Sequence, residues 1–315
     1  DVQATSVHWL WYPFIAVGKI TLLQGDPGDG KSTMMMNLIA ELSKGGKTPD
    51  GKPVGTPQRV IYQCSEDGVS DTIKPRLERG GADCRKVAFI NEETYSGLTL
   101  DDERIRQAII EFRPRLVVID PIQAYLGSDS DLQIAGRARK LMQRLGMWAS
   151  VYDCAIVLIG HLNKSSGTQS TYRGLGSIDI MAAVRSLIFI GKVRKDPTTR
   201  VLIHEKSSLA PPGETMAFKL GDEEGFRWVG AYEISADELL DGKEGKATET
   251  KLERGRKLIR ELLADKKEIS IRELDEKAKE QGISGRTMRD VRSRMKNELE
   301  YWINEKQENC IRLKV

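Results

Sequence analysis

An excess of charge of either sign, cysteines at metal-binding spacing and long apolar runs are all missing from this 315-residue chain, and each absence removes a class of function. Lys and Arg number 49 against 46 Asp and Glu, so the net charge of +3 does not by itself imply a nucleic-acid partner. Distribution along the chain has to carry that argument. The four cysteines, Cys64, Cys84, Cys154 and Cys310, share no metal-type or dithiol-type spacing. Three of them sit in or beside apolar runs, the setting of buried reduced thiols, so a reducing cytoplasm is expected. No apolar stretch approaches the about twenty residues that span a bilayer, and no charged-then-apolar leader precedes a cleavage site, so no membrane association is expected. The chain opens on Asp1 rather than Met, which fits a segment upstream. Its length suffices for a full α/β core plus a small second domain.

What is present begins with Gly25-Asp26-Pro27-Gly28-Asp29-Gly30-Lys31-Ser32, a match to G-x-x-x-x-G-K-[ST]. The run before it, Gly18 to Gln24, has the β-branched and apolar character of a buried strand. Lys31 to Lys44 after it has helical spacing in Met35, Leu38, Ile39 and Leu42. Strand, loop and helix in that order are the context of a phosphate-binding loop. Gly25, Gly28 and Gly30 let successive N–H groups turn inward toward phosphate oxygens, helped by the positive end of the helix. Residues Gly25 through Ser32, with Thr33 following, are therefore expected to bind ATP, with Lys31 reaching the β and γ phosphates and Ser32 holding Mg2+.

Strand-like runs recur at Arg59–Cys64, Lys86–Asn91, Leu116–Asp120 and Ala155–Gly160, alternating with helix-like segments at Val69–Arg79, Asp101–Phe112 and Leu132–Tyr152. This alternation predicts an α/β fold with a mostly parallel twisted sheet covered on both faces. After Gly160 the pattern changes. Ser186–Val193, Thr199–Glu205, Glu214–Leu220 and Phe226–Val229 are strand-like without helices between them, so an antiparallel extension is expected. The predicted boundaries are an ATPase domain over 1–234, a polar, glycine-containing linker over 235–250 and a small α+β domain over 251–315. In the last, helical segments at Glu253–Ala264 and Ile271–Gln281 precede a third that Ser284 can cap and that runs to about Glu300. Tyr301–Asn304 and Cys310–Val315 then flank a polar turn. Three helices followed by a hairpin is the order of a winged helix-turn-helix. On its third helix Met288, Val291, Met295 and Leu299 make a core stripe, and Arg286, Arg289, Arg292 and Lys296 fall on an adjacent face suited to phosphate or groove contact. A winged helix can equally bind protein, and a replication partner is the alternative to DNA.

Leu116-Val-Val-Ile-Asp120 is an apolar strand closed by a carboxylate, the form of the second metal-side element in P-loop ATPases, so Asp120 is expected beside Ser32 in the Mg2+ shell. Pro121 takes the place of a second acid, and the base must lie elsewhere. Glu66, just past the strand Val60–Cys64, is the candidate, and Asp67 could do the same work. Trp9, Trp11 and Tyr12 form an aromatic cluster before the first core strand, better suited to packing on the core edge than to stacking on a base.

The ordered set of P-loop, Ser65-Glu66-Asp67, Val118-Ile119-Asp120-Pro121 and Ile156 to His161 followed by Asn163-Lys164 resembles the RecA superfamily. Within it the chain is most similar to RepA and DnaB-like hexameric replicative helicases of plasmids and prophages, over about Trp9 to Val229. The resemblance implies a RecA-like core that forms a ring hexamer and acts on single-stranded DNA. It implies that His161 is the polar sensor of the γ phosphate, and that the loop Leu162–Arg173, with Lys164 and Arg173, grips single-stranded nucleic acid. It further implies that Arg185 and Lys206 act in trans on a neighbour's nucleotide, with the arginine finger open between Arg185 and Arg173. Two other functions remain consistent with the same residues: a recombination or repair ATPase that forms filaments, and a DNA-binding regulator switched by ATP.

Overall fold

Apolar runs without alternation form strands buried on both faces, and here they build the centre of one large sheet. The computed structural model describes residues 3–90, 97–127, 135–162, 178–194, 196–221, 225–240, 246–247, 251–265, 268–304 and 307–314. The chain divides into two units, Asp1–Lys246 and Ala247–Val315.

The first unit opens with a small antiparallel pair, β1 (Trp9–Trp11) and β2 (Ile15–Ala16). It continues through β3 (Ile20–Gly25), α1 (Lys31–Lys44), β4 (Val60–Cys64), α2 (Lys74–Arg79), β5 (Val87–Ala88), α3 (Glu103–Phe112), β6 (Leu116–Asp120), α4 (Ala135–Val151), β7 (Ala155–His161) and α5 (Ile178–Ala183). It closes with β8 (Ser186–Lys192), β9 (Thr199–Ser207), β10 (Met216–Gly221), β11 (Gly225–Glu233) and α6 (Ala236–Leu240), and β12 (Lys246–Ala247) lies at the boundary. The main sheet carries the order β11-β10-β9-β8-β3-β7-β6-β4-β5. From β8 to β5 the neighbours are parallel, and β9, β10 and β11 continue antiparallel.

Every residue of β3 and of β6 is buried. One apolar cluster packs α3 and α4 onto a face of the sheet, through Ile105, Ile109, Leu145 and Trp148, and a second packs α1 and α2 onto the other, through Leu38, Ile39 and Leu77. Leu22 belongs to the first and its neighbour Leu23 to the second; each is fully buried and contributes about 2 kcal/mol of transfer free energy. In α1 the consecutive Met34, Met35 and Met36 are all buried, so this helix is enclosed on more than the side facing the sheet. Gly45 ends α1 in the left-handed conformation, φ 71°, and its N–H returns to the carbonyls of Glu41 and Leu42.

Four segments depart from the sequence expectation. The helix expected over Val69–Arg79 is a π turn at Val69–Ile73 followed by α2, because Pro75 has no N–H for an unbroken α-helical ladder. The strand expected at Lys86–Asn91 starts only at Val87 and is regular to Ala88, since Asp83 accepts the Arg85 N–H and caps a 3-10 turn at Cys84–Lys86; Asn91 lies outside the described residues. Within the segment expected as a linker, Ser235 and Glu238 exchange a capping box that starts α6. Ala236 and Leu239 then bury against Phe189 and Val201. Residues 241–245 and 248–250 lie outside the described residues.

The second unit contains α7 (Lys251–Asp265), β13 (Ile269–Ser270), α8 (Ile271–Glu280), α9 (Gly285–Arg294), β14 (Leu299–Ile303) and β15 (Asn309–Leu313), with antiparallel strand order β13-β15-β14. Ser270 accepts the Glu273 N–H and Ser284 the Thr287 N–H, so α8 and α9 each start on a serine cap. The fourth departure is here: α9 stops at Arg294 rather than near Glu300. Met295 and Leu299 are buried beside Met288 and Val291, but they reach that core from a turn and from β14. Helical spacing in the sequence hid the end of the helix. Among the described residues no helix is long and apolar enough to cross a membrane.

Candidate functional site

The carboxyl ends of the parallel strands collect the chemistry-bearing residues. Strand register aligns Gly25 of β3 with His161 of β7 and Cys64 of β4 with Asp120 of β6. Between β3 and α1 the loop bends so tightly that a Cβ at Gly25 would stand 2.2 Å from the Ile190 carbonyl oxygen of β8. Gly30, at φ +84°, would drive one to 2.4 Å from Leu220 Cδ1. Gly28 has open space around it but φ +81°, so there the backbone angle alone calls for glycine. Gly30 is also the N-cap of α1 and offers no side-chain cap, which leaves the first-turn N–H groups for an anion.

Lys31 is buried and its Nζ donates to the carbonyls of Gly25, at 2.9 Å, and Asp26, at 2.8 Å, closing over the loop. Burial pulls the ammonium below its ordinary pKa, while the carboxylates of Asp29, Asp120, Asp26 and Glu66 oppose that shift. Asp26, Pro27 and Gly28 are exposed at the tip of the bend, and Ser32 and Thr33 are half-buried at the start of α1. Asp29 is buried and accepts the Asp26 N–H at 2.8 Å; burial pushes its carboxyl up to about 6, against the pull of Lys31 and Arg200. Arg200 was not foreseen. It comes from β9, is 7% exposed, donates from a terminal nitrogen to the Pro197 carbonyl and leaves its buried Nε without a hydrogen-bond partner. Nothing in its strand sequence marks it, because the antiparallel extension brings it to the loop.

Asp120 is 4% exposed, and its Oδ2 accepts a 2.6 Å hydrogen bond from the phenol of Tyr62, which lies beside the Ser32 side chain. Ser32 and Asp120, drawn from α1 and β6, thus meet through a third residue on β4. A hydroxyl and a carboxylate are hard oxygen donors of the kind Mg2+ takes, and the glycine bend beside them has room and N–H groups for phosphates. The residues therefore fit a magnesium–triphosphate pair.

His161 Nε2 lies 3.8 Å from Glu66 Oε1, and its Nδ1 is buried without a hydrogen-bond partner. Gln123 donates to the His161 carbonyl at 3.3 Å, tying the end of β7 to the turn after β6. Glu66 is exposed at the strand ends, whereas Asp67 is engaged by Arg76 at 2.9 Å. Arg185 and Lys206 sit elsewhere. Register pairs Ser186 with Thr21, so Arg185 lies at the far end of the sheet from Gly25, about 16 Å away at the rise of an extended strand; Lys206 pairs with Leu187, level with Leu22, and so lies about 10 Å back from Gly25 along the strands and two strands across. Lys206 Nζ donates to the Met181 carbonyl at 2.8 Å, and burial, then the neighbouring Arg185, lowers its pKa; Arg185 is exposed. Lys164 and Arg173 lie outside the described residues.

In the second unit Arg286, Arg289 and Lys296 are exposed. Arg292 is not part of that face: it is buried, with a terminal nitrogen 2.7 Å from Asp275 on α8, because a position next to Val291 turns inward toward α8. Its expected nucleic-acid role is thereby corrected to an internal ion pair. Trp11 is 1% exposed and packs against Phe14 and Trp228 with ring centroids at 4.4 and 6.2 Å, so it belongs to the core edge; Tyr12 is exposed.

Residues 1–167 match a family model described as an AAA domain. Among curated proteins the chain is similar to DNA repair protein RadA of Bacillus subtilis (strain 168), with 26% identity over 252 residues, covering 79% of this chain and 49% of that protein. DNA repair protein RadA of Halalkalibacterium halodurans is 28% identical over 252 residues, with 79% and 50% covered. The chain thus spans about half the length of the curated relatives it matches. Among solved structures, one of an ATPase domain superposes with a TM-score of 0.51 at 12% identity, covering 67% of this chain and 84% of that one, which is a likeness of fold. With the glycine cradle, Ser32 and Asp120 at the carboxyl ends of one sheet, and the family match spanning more than half of the sequence, this chain belongs to the AAA-domain family.

Proposed function

We propose that this chain is an ATP-hydrolysing motor that assembles head to tail, as a ring hexamer, and moves on single-stranded DNA as a helicase or replication ATPase of a mobile genetic element. One observation carries the reading: Arg185 stands at the opposite end of the sheet from its own P-loop, about 16 Å from Gly25, and Lys206 lies about 10 Å back along the strands and two strands across, with its ammonium on the Met181 carbonyl and not on that loop. Cations so placed are turned away from their own nucleotide and within reach of one on a next subunit, and head-to-tail contacts repeat such an arrangement around a ring. The resemblance to plasmid and prophage helicases supports the choice of DNA.

Bound ATP with Mg2+ would supply the phosphoryl group and neutralise part of its charge. Lys31 and the N–H groups of the bend would hold the phosphates. Glu66 would orient the attacking water and take its proton, and His161, 3.8 Å from Glu66, would couple that step to the loop that follows β7. Arg185 and Lys206 would stabilise charge across the subunit boundary. In the second unit, three helices and a hairpin support a winged helix-turn-helix whose exposed Arg286, Arg289 and Lys296 contact DNA or a replication protein. The test is phosphate release with and without single-stranded oligonucleotide, alongside light scattering. Turnover stimulated by DNA in an oligomer is the expected result; an unstimulated monomer would refute the proposal.

A second reading has its own support. The RadA relatives are DNA repair proteins and match 79% of this chain, which favours a repair or recombination ATPase. Electron microscopy of the ATP-bound protein on single-stranded DNA separates rings from filaments.

A further inference from the structure

Resting on the nucleotide reading of the P-loop, we infer that Tyr62 is a positioning residue for the magnesium-side ligands, because its phenol holds Asp120 Oδ2 and stands beside the Ser32 hydroxyl. Tyr62 lies on β4 two residues before Cys64, which pairs with Asp120 on β6. Residues two apart on a strand share a face, so Tyr62 and Asp120 are diagonal neighbours on the side that α1 covers. The ring is fully buried and meets Phe89 edge-on, with centroids 6.5 Å apart and planes at 89°, which fixes the direction of its hydroxyl.

A phenol has one proton to give. Donated to Asp120 Oδ2 at 2.6 Å, it leaves only lone pairs on the side of Ser32, so toward Tyr62 the Ser32 hydroxyl can act only as donor. The orientation of both metal-side groups follows. With its proton directed at Tyr62, Ser32 has its lone pairs free for the metal, and Asp120, held through Oδ2, has Oδ1 free. Groups that orient metal ligands in this way set affinity by restricting where the donor atoms point.

The test is Tyr62→Phe in the full chain, read by binding of fluorescent N-methylanthraniloyl-ATP, first in EDTA and then across a Mg2+ titration. Binding in EDTA close to that of the parent, with half-saturating Mg2+ raised roughly tenfold or more, is expected. An unchanged Mg2+ dependence overturns the inference. So does equal weakening with and without Mg2+, which would make Tyr62 a packing residue only. Ser32→Ala provides a second variant: adding Tyr62→Phe to it should raise half-saturating Mg2+ far less than in the parent, whereas a general folding defect would add in full. If the parent protein bound no nucleotide in either condition, the reading of the P-loop itself would fall, and the role of Tyr62 with it.

Discussion

Replacing Asp29 by Asn should make the first unit more stable at neutral pH and leave it nearly unchanged in acid. Asp29 is 7% exposed, and its carboxyl is raised from 3.8 to about 6 by burial, even though Lys31 and Arg200 pull it down. A folded-state pKa above the unfolded value means that the folded chain holds the proton more tightly. The corresponding stability is fully present below about pH 4, declines as pH rises through about 6, and is absent above that. A rise of about two pKa units corresponds to about 3 kcal/mol. Asn resembles the protonated acid at every pH and keeps an oxygen for the Asp26 N–H. The variant should therefore gain about 2 to 3 kcal/mol over the parent at about pH 8 and close to nothing at about pH 4. Urea unfolding followed by tryptophan fluorescence reads this directly, since Trp9, Trp11, Trp148 and Trp228 are in the first unit and only Trp302 of the five is in the second. A gap between variant and parent that did not change with pH would refute the reasoning.

His204 should impose the opposite slope. Its Nδ1 accepts the Gly213 N–H at 2.9 Å, which leaves the proton on Nε2 facing Ser186 Oγ, and burial lowers its pKa to about 4. Its contribution, up to about 3 kcal/mol, is present above about pH 6.5 and lost as pH falls toward 4, so urea midpoints of Asp29→Asn should drop in acid and a flat profile would contradict this. Arg292→Ala strands a carboxylate that still reaches water, since Asp275 is 37% exposed, and should destabilise the second unit by about 2 kcal/mol, read by amide exchange in α8 and α9. Gly30→Ala should weaken nucleotide binding at least tenfold through its φ of +84° and the 2.4 Å clash with Leu220, and binding equal to the parent would show that the cradle is misassigned. Lys206→Ala should release little phosphate alone but recover turnover when mixed with Lys31→Ala subunits, and no recovery would exclude action across a subunit boundary.

The parallel core was legible because its strands are apolar throughout: Leu116–Asp120 has the same bounds in sequence and structure. The glycine motif was equally plain, since its spacing is local. What escaped is non-local. Tyr62 reads as one more apolar strand residue until register sets it beside Asp120. Arg200 lies far along the chain from Asp29 and reaches it only because β9 runs back alongside β8. Arg292 looked like its basic neighbours because spacing along one helix does not reveal which face a second helix covers. The helix that Ser235 caps fell within the segment read as a linker, because the surrounding charge leaves it only a few apolar anchors.

The three methionines at the heart of α1 bear on how this helix responds when its leading end is loaded. Unbranched thioethers change shape by rotating about single bonds, so a sub-ångström displacement of the helix along its axis can be absorbed by torsions instead of by opening voids. Branched aliphatics at the same positions would lock the rod in place. α1 is in this sense a lubricated piston within a close-fitting sleeve, able to carry a small push from the bend at its head to the sheet and to α2 at its flank.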